Sequence, residues 1–257
     1  MSTPAVVRVM EREARVLARL WRGMVFSTLL NPLLFLAAMG LGLGGLVKAH
    51  TGRVSGLTYL DFVAPGLMVA SAMQLAANEA MWPVLGGVKW MRTFFATTAT
   101  PITAGEVLVG YVLWVVVRAI GASTVFLGVA ALLGAVPSAW GVLAIPAAAL
   151  CAAAFAAPLA AFSVTLDTDL VFPVIFRVGV LPLFLFSGTF FPISQLPGGL
   201  RPFAAVSPLW HGVELARGAT TGTLHLGADI VHVAVLLACV GAGLLWGRRT
   251  FARRLTS

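Results

Sequence analysis

Charge is scarce in this sequence. Asp, Glu, Lys and Arg supply 10% of its 257 residues, against 60% hydrophobic residues and a mean hydropathy of +0.98. A soluble domain of that length does not need so much apolar material for its core, so the balance excludes a water-soluble protein and leaves one that lives in a bilayer. Long polar stretches are missing too, and with them any soluble catalytic domain between the apolar runs. The G-x-x-x-x-G-K-[ST] run is also absent, which leaves no P-loop to cradle nucleotide phosphates. Cysteine is limited to Cys151 and Cys239, both inside apolar runs, where they read as small buried residues and not as a disulfide or a metal site. Acids number 9 against 17 Lys and Arg, a formal charge of +8. Because the bases flank apolar runs, they read as topology signals facing anionic lipid and not as a nucleic-acid footprint.

What the chain has in quantity is apolar sequence in lengths that cross a bilayer, which takes roughly 20 residues as helix. The runs predict an all-α integral membrane protein with six transmembrane helices at about 24–47, 60–84, 107–133, 141–165, 170–190 and 227–247, one transmembrane domain over 1–257. Their continuity excludes a closed barrel, whose strands alternate. A charged helix precedes the first run, which is longer than a signal peptide's apolar region, so the N-terminus is expected to stay attached. An even number of spans places both termini on one side. That side carries the arginines of residues 8–22, Lys89, Arg92 and the arginines of 248–254, whereas Lys48, Arg53, Arg201 and Arg217 fall on the other. The positive-inside rule then predicts cytoplasmic termini in a multi-pass protein of the cytoplasmic (inner) membrane.

Residues 5–23 predict an amphipathic interfacial helix, with Arg8, Arg12, Arg15, Arg19 and Arg22 in one stripe and Val9, Leu17 and Trp21 opposite. Glu13 interrupts the apolar face; either that face partly contacts protein, or the carboxyl is protonated or tilted to the interface. The stretch 86–106 is too apolar for a plain loop. Lys89, Trp90, Met91, Arg92, Phe94 and Phe95 make a short amphipathic turn of helix, Thr100-Pro101 breaks it, and Glu106 opens the third span. Such a segment is either a docking element or an ordinary interfacial helix. Intramembrane charges are functional candidates, here Glu79, Arg118 and Arg177, the two arginines being expected against a carboxylate or helix ends. Asp167 and Asp169 are expected to cap the fifth span.

FSGTFFPISQLP, 186–197, and the residues after it carry Pro192, Pro197, Pro202 and Pro208 at spacings that forbid one helix, yet are too apolar for an exposed loop. Residues 190–218 therefore predict a re-entrant helical hairpin on the outer side, with Ser207 as N-cap and Pro208 at the first helical position of its second arm.

YLDFVAPGLMVASAM (59–73), NEAMW (78–82) leading to KWMRTF, and FLFSGTFFPISQLP followed by SPLWHGVELARG (184–218) resemble the permease subunits of type-2 ATP-binding-cassette exporters. The resemblance is to the branch containing the nodulation-factor exporter NodJ and the daunorubicin-resistance permeases, and it covers nearly the whole chain. It implies a homodimer or heterodimer of permeases bound to separate P-loop ATPase subunits, which would hold ATP and Mg; this chain itself needs no cofactor and is no enzyme. Lys89 to Phe95 would then be the coupling helix, and Glu13, Arg15, Arg19 and Trp21 part of the interfacial helix beside the ATPase. A path of apolar and small residues suits a lipid, glycolipid or hydrophobic drug. Phe190, Phe191, Trp210 and His211 are candidates for an exit gate, or else members of the interfacial aromatic belt. An ion-coupled secondary transporter is the alternative, and it would depend on Glu79.

Overall fold

The computed structural model describes residues 4–38, 54 and 56–256; within the first helix, the side chains of residues 19–33 and 35 lie outside that description. The described residues are helical, with one isolated bridge between Val54 and Leu57.

Helix α1 (Ala5–Ala37) is unbroken. The expected division into an interfacial helix over 5–23 and a separate span from 24 is therefore corrected. No proline stands in the sequence at that junction, and a glycine such as Gly23 costs only about 1 kcal/mol inside a helix. The side chains of Arg19 and Trp21, and the far part of the expected first span, 24–47, lie outside the described residues.

Helix α2 (Tyr59–Leu85) starts where the Thr58 hydroxyl accepts from the Asp61 backbone N–H. It passes into a π-turn (Gly86–Trp90), a corner at Arg92, and the short α3 (Thr93–Thr98). Helix α4 (Ala104–Leu132) opens with a capping box in which Thr103 receives the Glu106 N–H and Glu106 receives the Thr103 N–H at 2.7 Å. A 3₁₀ turn (Ala139–Leu143) leads into α5 (Ala144–Ser163). Then come α6 (Phe172–Phe186), α7 (Arg201–Val206), α8 (Pro208–Thr221) and α9 (Leu226–Leu255). Among the described residues four helical stretches are long and apolar enough to cross a bilayer: Tyr59–Trp90, Ala104–Leu132, Ala139–Ser163 and Leu226–Leu255. With their apolar outward faces they make this a multi-pass membrane protein.

The fifth expected span, 170–190, falls short of spanning length. Helix α6 is broken into Phe172–Ile175, a π-turn at Phe176–Val180 and Leu181–Phe186. Pro182 has no N–H, and its ring cannot sit against the carbonyl four residues back, so the extra residue of the π-turn absorbs the mismatch. Asp169 contributes its backbone carbonyl, which accepts from the Phe172 N–H at 2.9 Å, and the first turn of α6 has no side-chain cap. The expectation of aspartate caps is thus overturned: the Asp167 carboxylate pairs with Arg254 instead.

Helix α5 is the hub, packing against α2, α4, α8 and α9. Its run AAALCAAAFAAPLAA has almost no side-chain bulk, so neighbouring backbones come close, the small-residue route to helix association in lipid. A Cβ at Gly243 of α9 would lie 2.6 Å from the Pro158 nitrogen, and one at Gly212 of α8 would lie 2.9 Å from Cys151 Cβ. Both cysteines are free thiols.

Candidate functional site

One end of the bundle holds both described termini, the α2–α4 connection and the α5–α6 corner, because Val9 meets Gly110, Phe251 meets Phe94 and Arg254 meets Asp167. The connection does not form one helix from Lys89 to Phe95. Lys89 and Trp90 end the preceding π-turn, Arg92 adopts a left-handed φ of 50°, and the new helix begins only at Thr93. Left-handed backbone is costly for a residue with a Cβ, so the surroundings must hold it there. They do so from the inside. Phe94 is fully buried between Tyr111 (5.8 Å) and Phe251 (6.0 Å), and its ring lies against Gly87, where a Cβ would come within 3.1 Å. Lys89 donates to the backbone carbonyl of Asp167. The outcome is an anchored corner that presents Trp90 (57% exposed), Met91 (65%) and Arg92 outward, with Phe95 half-buried beside them.

A charged cluster sits where α1, α2 and α4 meet. Arg118 pairs with Glu79, Tyr111 Oη donates to the Glu79 carbonyl at 2.9 Å, and Arg12 lies 3.1 Å from Glu13. Glu13 therefore faces protein. Burial raises its pKa, Arg12 opposes that, and the nearby Glu79 adds to it. A carboxyl whose folded pKa is raised favours the fold below its ordinary value, and that contribution is lost as pH rises through the raised one. Glu13→Gln is accordingly expected to melt higher than wild type in neutral detergent solution, with the two curves converging on acidification. A lower melting temperature at neutral pH would show that the Arg12 pair outweighs burial. Arg15 is exposed and reaches Glu11 at 3.8 Å. Arg177, expected against a partner, is instead exposed on α6 among the exposed Val174, Val178 and Leu181. The broken α6 packs on the bundle through Phe172 and Phe176, which meet Trp82, so the Arg177 face is left outward.

The opposite end gathers residues 187–232. Ser207 caps α8 as its sequence requires, accepting from the Leu209 N–H and from Ser187 Oγ at 3.0 Å. Phe190 packs on Phe184 and Phe191 on Phe186, so both fold back on α6. Trp210 and His211 turn instead toward α9, where the Nδ1 atoms of His211 and His232 share a hydrogen bond of 2.6 Å. The four aromatic candidates thus divide between two helices. Sequence reasoning missed His232, Glu214 and Arg217. Arg217 is buried, donates to the carbonyls of Phe62 (3.3 Å) and Gly188 (2.7 Å), pairs with Glu214 at 2.6 Å and stacks on the Phe62 ring at 3.9 Å. The Glu-x-x-Arg spacing on an apolar helix was the available signal. A cavity of about 240 Å³ opens beside them, lined by Phe62, Ser194, Trp210, Glu214 and Arg217 among others. Among the described residues no group of three or more His, Cys, Asp or Glu is placed to hold a metal ion.

A family model described as ABC-2 type transporter matches residues 5–220. Nodulation protein J of Rhizobium meliloti (strain 1021) is 31% identical over 212 residues, spanning 82% of this chain and 77% of its own. That of Bradyrhizobium diazoefficiens is 32% identical over 226 residues, 84% of each chain, and that of Neorhizobium galegae 31% over 235 residues, 88% and 87%.

Proposed function

The chain belongs to the ABC-2 type transporter family, and we propose from that premise that it is the membrane-spanning subunit of an ATP-driven exporter, moving an amphipathic or hydrophobic substrate out across the cytoplasmic membrane. The observation that carries this reading is the anchored corner at Trp90, Met91 and Arg92. An exposed tryptophan and methionine at a bundle end are poor neighbours for water, while Phe94, Lys89 and Asp167 tie the corner to α4, α5–α6 and α9. A groove on a P-loop ATPase is the partner such a knob fits. That partner would bind ATP and Mg, and this chain would be a conduit and not an enzyme. Closure of two ATPases would pull the corner, and the tied helices would move with it as rigid bodies.

The exposed Arg177 supports a second permease copy, identical or related. A guanidinium facing lipid is costly, and a facing copy removes that cost. At the other end, Pro208 lies beside Cys151, about two turns into α5, whereas Thr220 accepts from the Ser138 N–H at the start of the same segment. Helix α8 thus rises from within the bundle to its rim, which supports a re-entrant arm between α6 and the last span, with cytoplasmic termini. Such an arm would let Trp210 and His211 gate an exit, with Phe190 and Phe191 as the aromatic rim. An apolar recess of about 340 Å³ between α5, α8 and α9, lined by Leu150, Leu215 and Val233 among others, suits lipid, glycolipid or drug chains. Engagement of Glu79 by Arg118 disfavours ion coupling through that acid.

The test is to copurify the tagged chain with its ATPase and to alter the corner. Trp90→Ala and Arg92→Ala are expected to leave insertion intact and to lose substrate-stimulated hydrolysis and transport. Full transport by both variants would sink the coupling assignment.

A further inference from the structure

The hydrogen bond between His211 and His232 joins α8 to α9 beside the apolar recess. His211, Leu215 and Ala219 recur every four residues and share one stripe of α8. On α9, Asp229 lies one turn before His232, and Val233 follows it. Leu215, Ala219, Asp229 and Val233 all line the recess of about 340 Å³. Because α8 starts within the bundle and α9 runs back in from the rim, the histidine pair closes the deep end of that recess. His211 is buried and His232 half-buried, and the Trp210 ring lies 4.9 Å from one and 5.1 Å from the other.

An Nδ1 to Nδ1 hydrogen bond needs one ring that accepts, and an imidazolium carries donors only. The bond survives with both rings neutral or with one charged. It cannot survive with both charged, and two imidazoliums with ring centres 4.9 Å apart in a buried site also repel. Burial and the facing His232 hold His211 below the ordinary histidine range, and the Ala205 carbonyl opposes them. A histidine with a lowered folded pKa stabilises the fold above its ordinary value, and that contribution is lost as pH falls from that value toward the lowered one. The charged groups around the pair come from several elements. Glu214 and Arg217 on α8 pair with each other, and Asp229 on α9 accepts from the His225 N–H at 2.9 Å. Helix α7 brings Arg201, which donates to the Leu196 carbonyl at 2.8 Å, and α2 brings Tyr59 and Asp61 in its first turn. Helix α4 brings Arg118, held by Glu79, while α5 offers the Cys151 thiol and no charge.

We propose that His211 and His232 form a proton-operated latch, which holds the α8–α9 seam shut at the deep end of the recess and is released when both rings are protonated. Release lets the start of α8 swing from α9 and extends the recess inward, so that it takes a longer apolar chain. The latch belongs to this chain alone, and only its use in export rests on the function proposed above.

The chain has 4 histidines, so isotopic labelling of histidine nitrogens alone gives a spectrum simple enough to assign in detergent. At about pH 8 one pair of rings is expected to show a nitrogen–nitrogen coupling across the bond, and at about pH 5, the lower edge of the histidine range, that coupling is expected to vanish. Spin labels at Val206→Cys and Val231→Cys, both exposed positions flanking the seam, are introduced with Cys151→Ala and Cys239→Ala. Their separation is expected to lengthen between the same two pH values. His211→Asn and His232→Asn remove the titrating ring and are each expected to lose that shift, whereas His225→Asn keeps it. If the buried His211→Asn variant does not fold, His232→Asn decides. Absence of the coupling at about pH 8, its survival at about pH 5, a label separation that ignores pH, or a shift that persists in His232→Asn overturns the latch. No ATPase enters these measurements, so they stand or fall apart from the coupling assignment at Trp90.

Discussion

Arg217→Ala is expected to cost about 2–6 kcal/mol, the sum for two buried carbonyls left without a donor at about 1–3 kcal/mol each. The chain would then be recovered at low yield and melt far below wild type in mild detergent. Arg217 is 9% exposed and serves three separate segments at once: α8 through Glu214, α2 through the Phe62 carbonyl and ring, and the turn after α6 through Gly188. Truncation leaves two buried carbonyls short of donors, where each unmet group costs more than its hydrogen bond contributes, and removes the partner of the partly exposed Glu214 carboxylate. Arg217→Lys keeps the charge but loses the forked donors, so an intermediate melting temperature is expected. Adding Glu214→Gln to Arg217→Met should recover part of the loss by removing the stranded carboxylate. An alanine variant that melts like wild type would show that the opposite end is held by packing alone.

Arg217 also shows where sequence reading reaches its limit. Counted along the chain it is an outward basic residue that bears on topology; folded, it ties α8 to α2 and to the turn after α6. Signals that act within a few residues were legible. Ser207 with Pro208 started α8, and Thr103 with Glu106 started α4, because a cap and its helix are one local unit. Pairings across the fold were not. Nothing near Asp167 names Arg254 as its partner, so the nearest helix start was the wrong choice; likewise His211 does not announce His232. The corner was legible as an apolar, basic segment, but its shape turns on one left-handed residue, Arg92, which is not a type that favours that conformation. The continuity of α1 was missed for the opposite reason. A change of polarity at residue 23 looked like a boundary, whereas a helix ends only when something stops it.

A second large effect is expected at the seam between α5 and α9. Gly243→Ala should destabilise the chain by about 1–3 kcal/mol, the usual cost of overpacking. A methyl there would sit 2.6 Å from the Pro158 nitrogen, 2.7 Å from its Cδ and 2.8 Å from the Ala157 carbonyl carbon. Carbon atoms at rest keep roughly 3.5–4.0 Å apart, so the two helices would have to separate. Two of the three obstructing atoms are backbone and the third closes a ring, and none has a rotamer through which to yield. Gly241, two residues earlier on the same helix, is the internal control. Nothing lies within 4 Å of a Cβ built there, so Gly241→Ala should be neutral or gain about 0.5–1 kcal/mol from helix propensity. Thermal melting of both variants in one detergent separates the two causes: general intolerance of alanine in α9 would lower both, and loss of contact with α5 lowers Gly243→Ala alone. Melting of Gly243→Ala at or above the wild-type temperature would mean that the seam gives way without cost, and that the alanine-rich face of α5 does not set how closely α9 approaches.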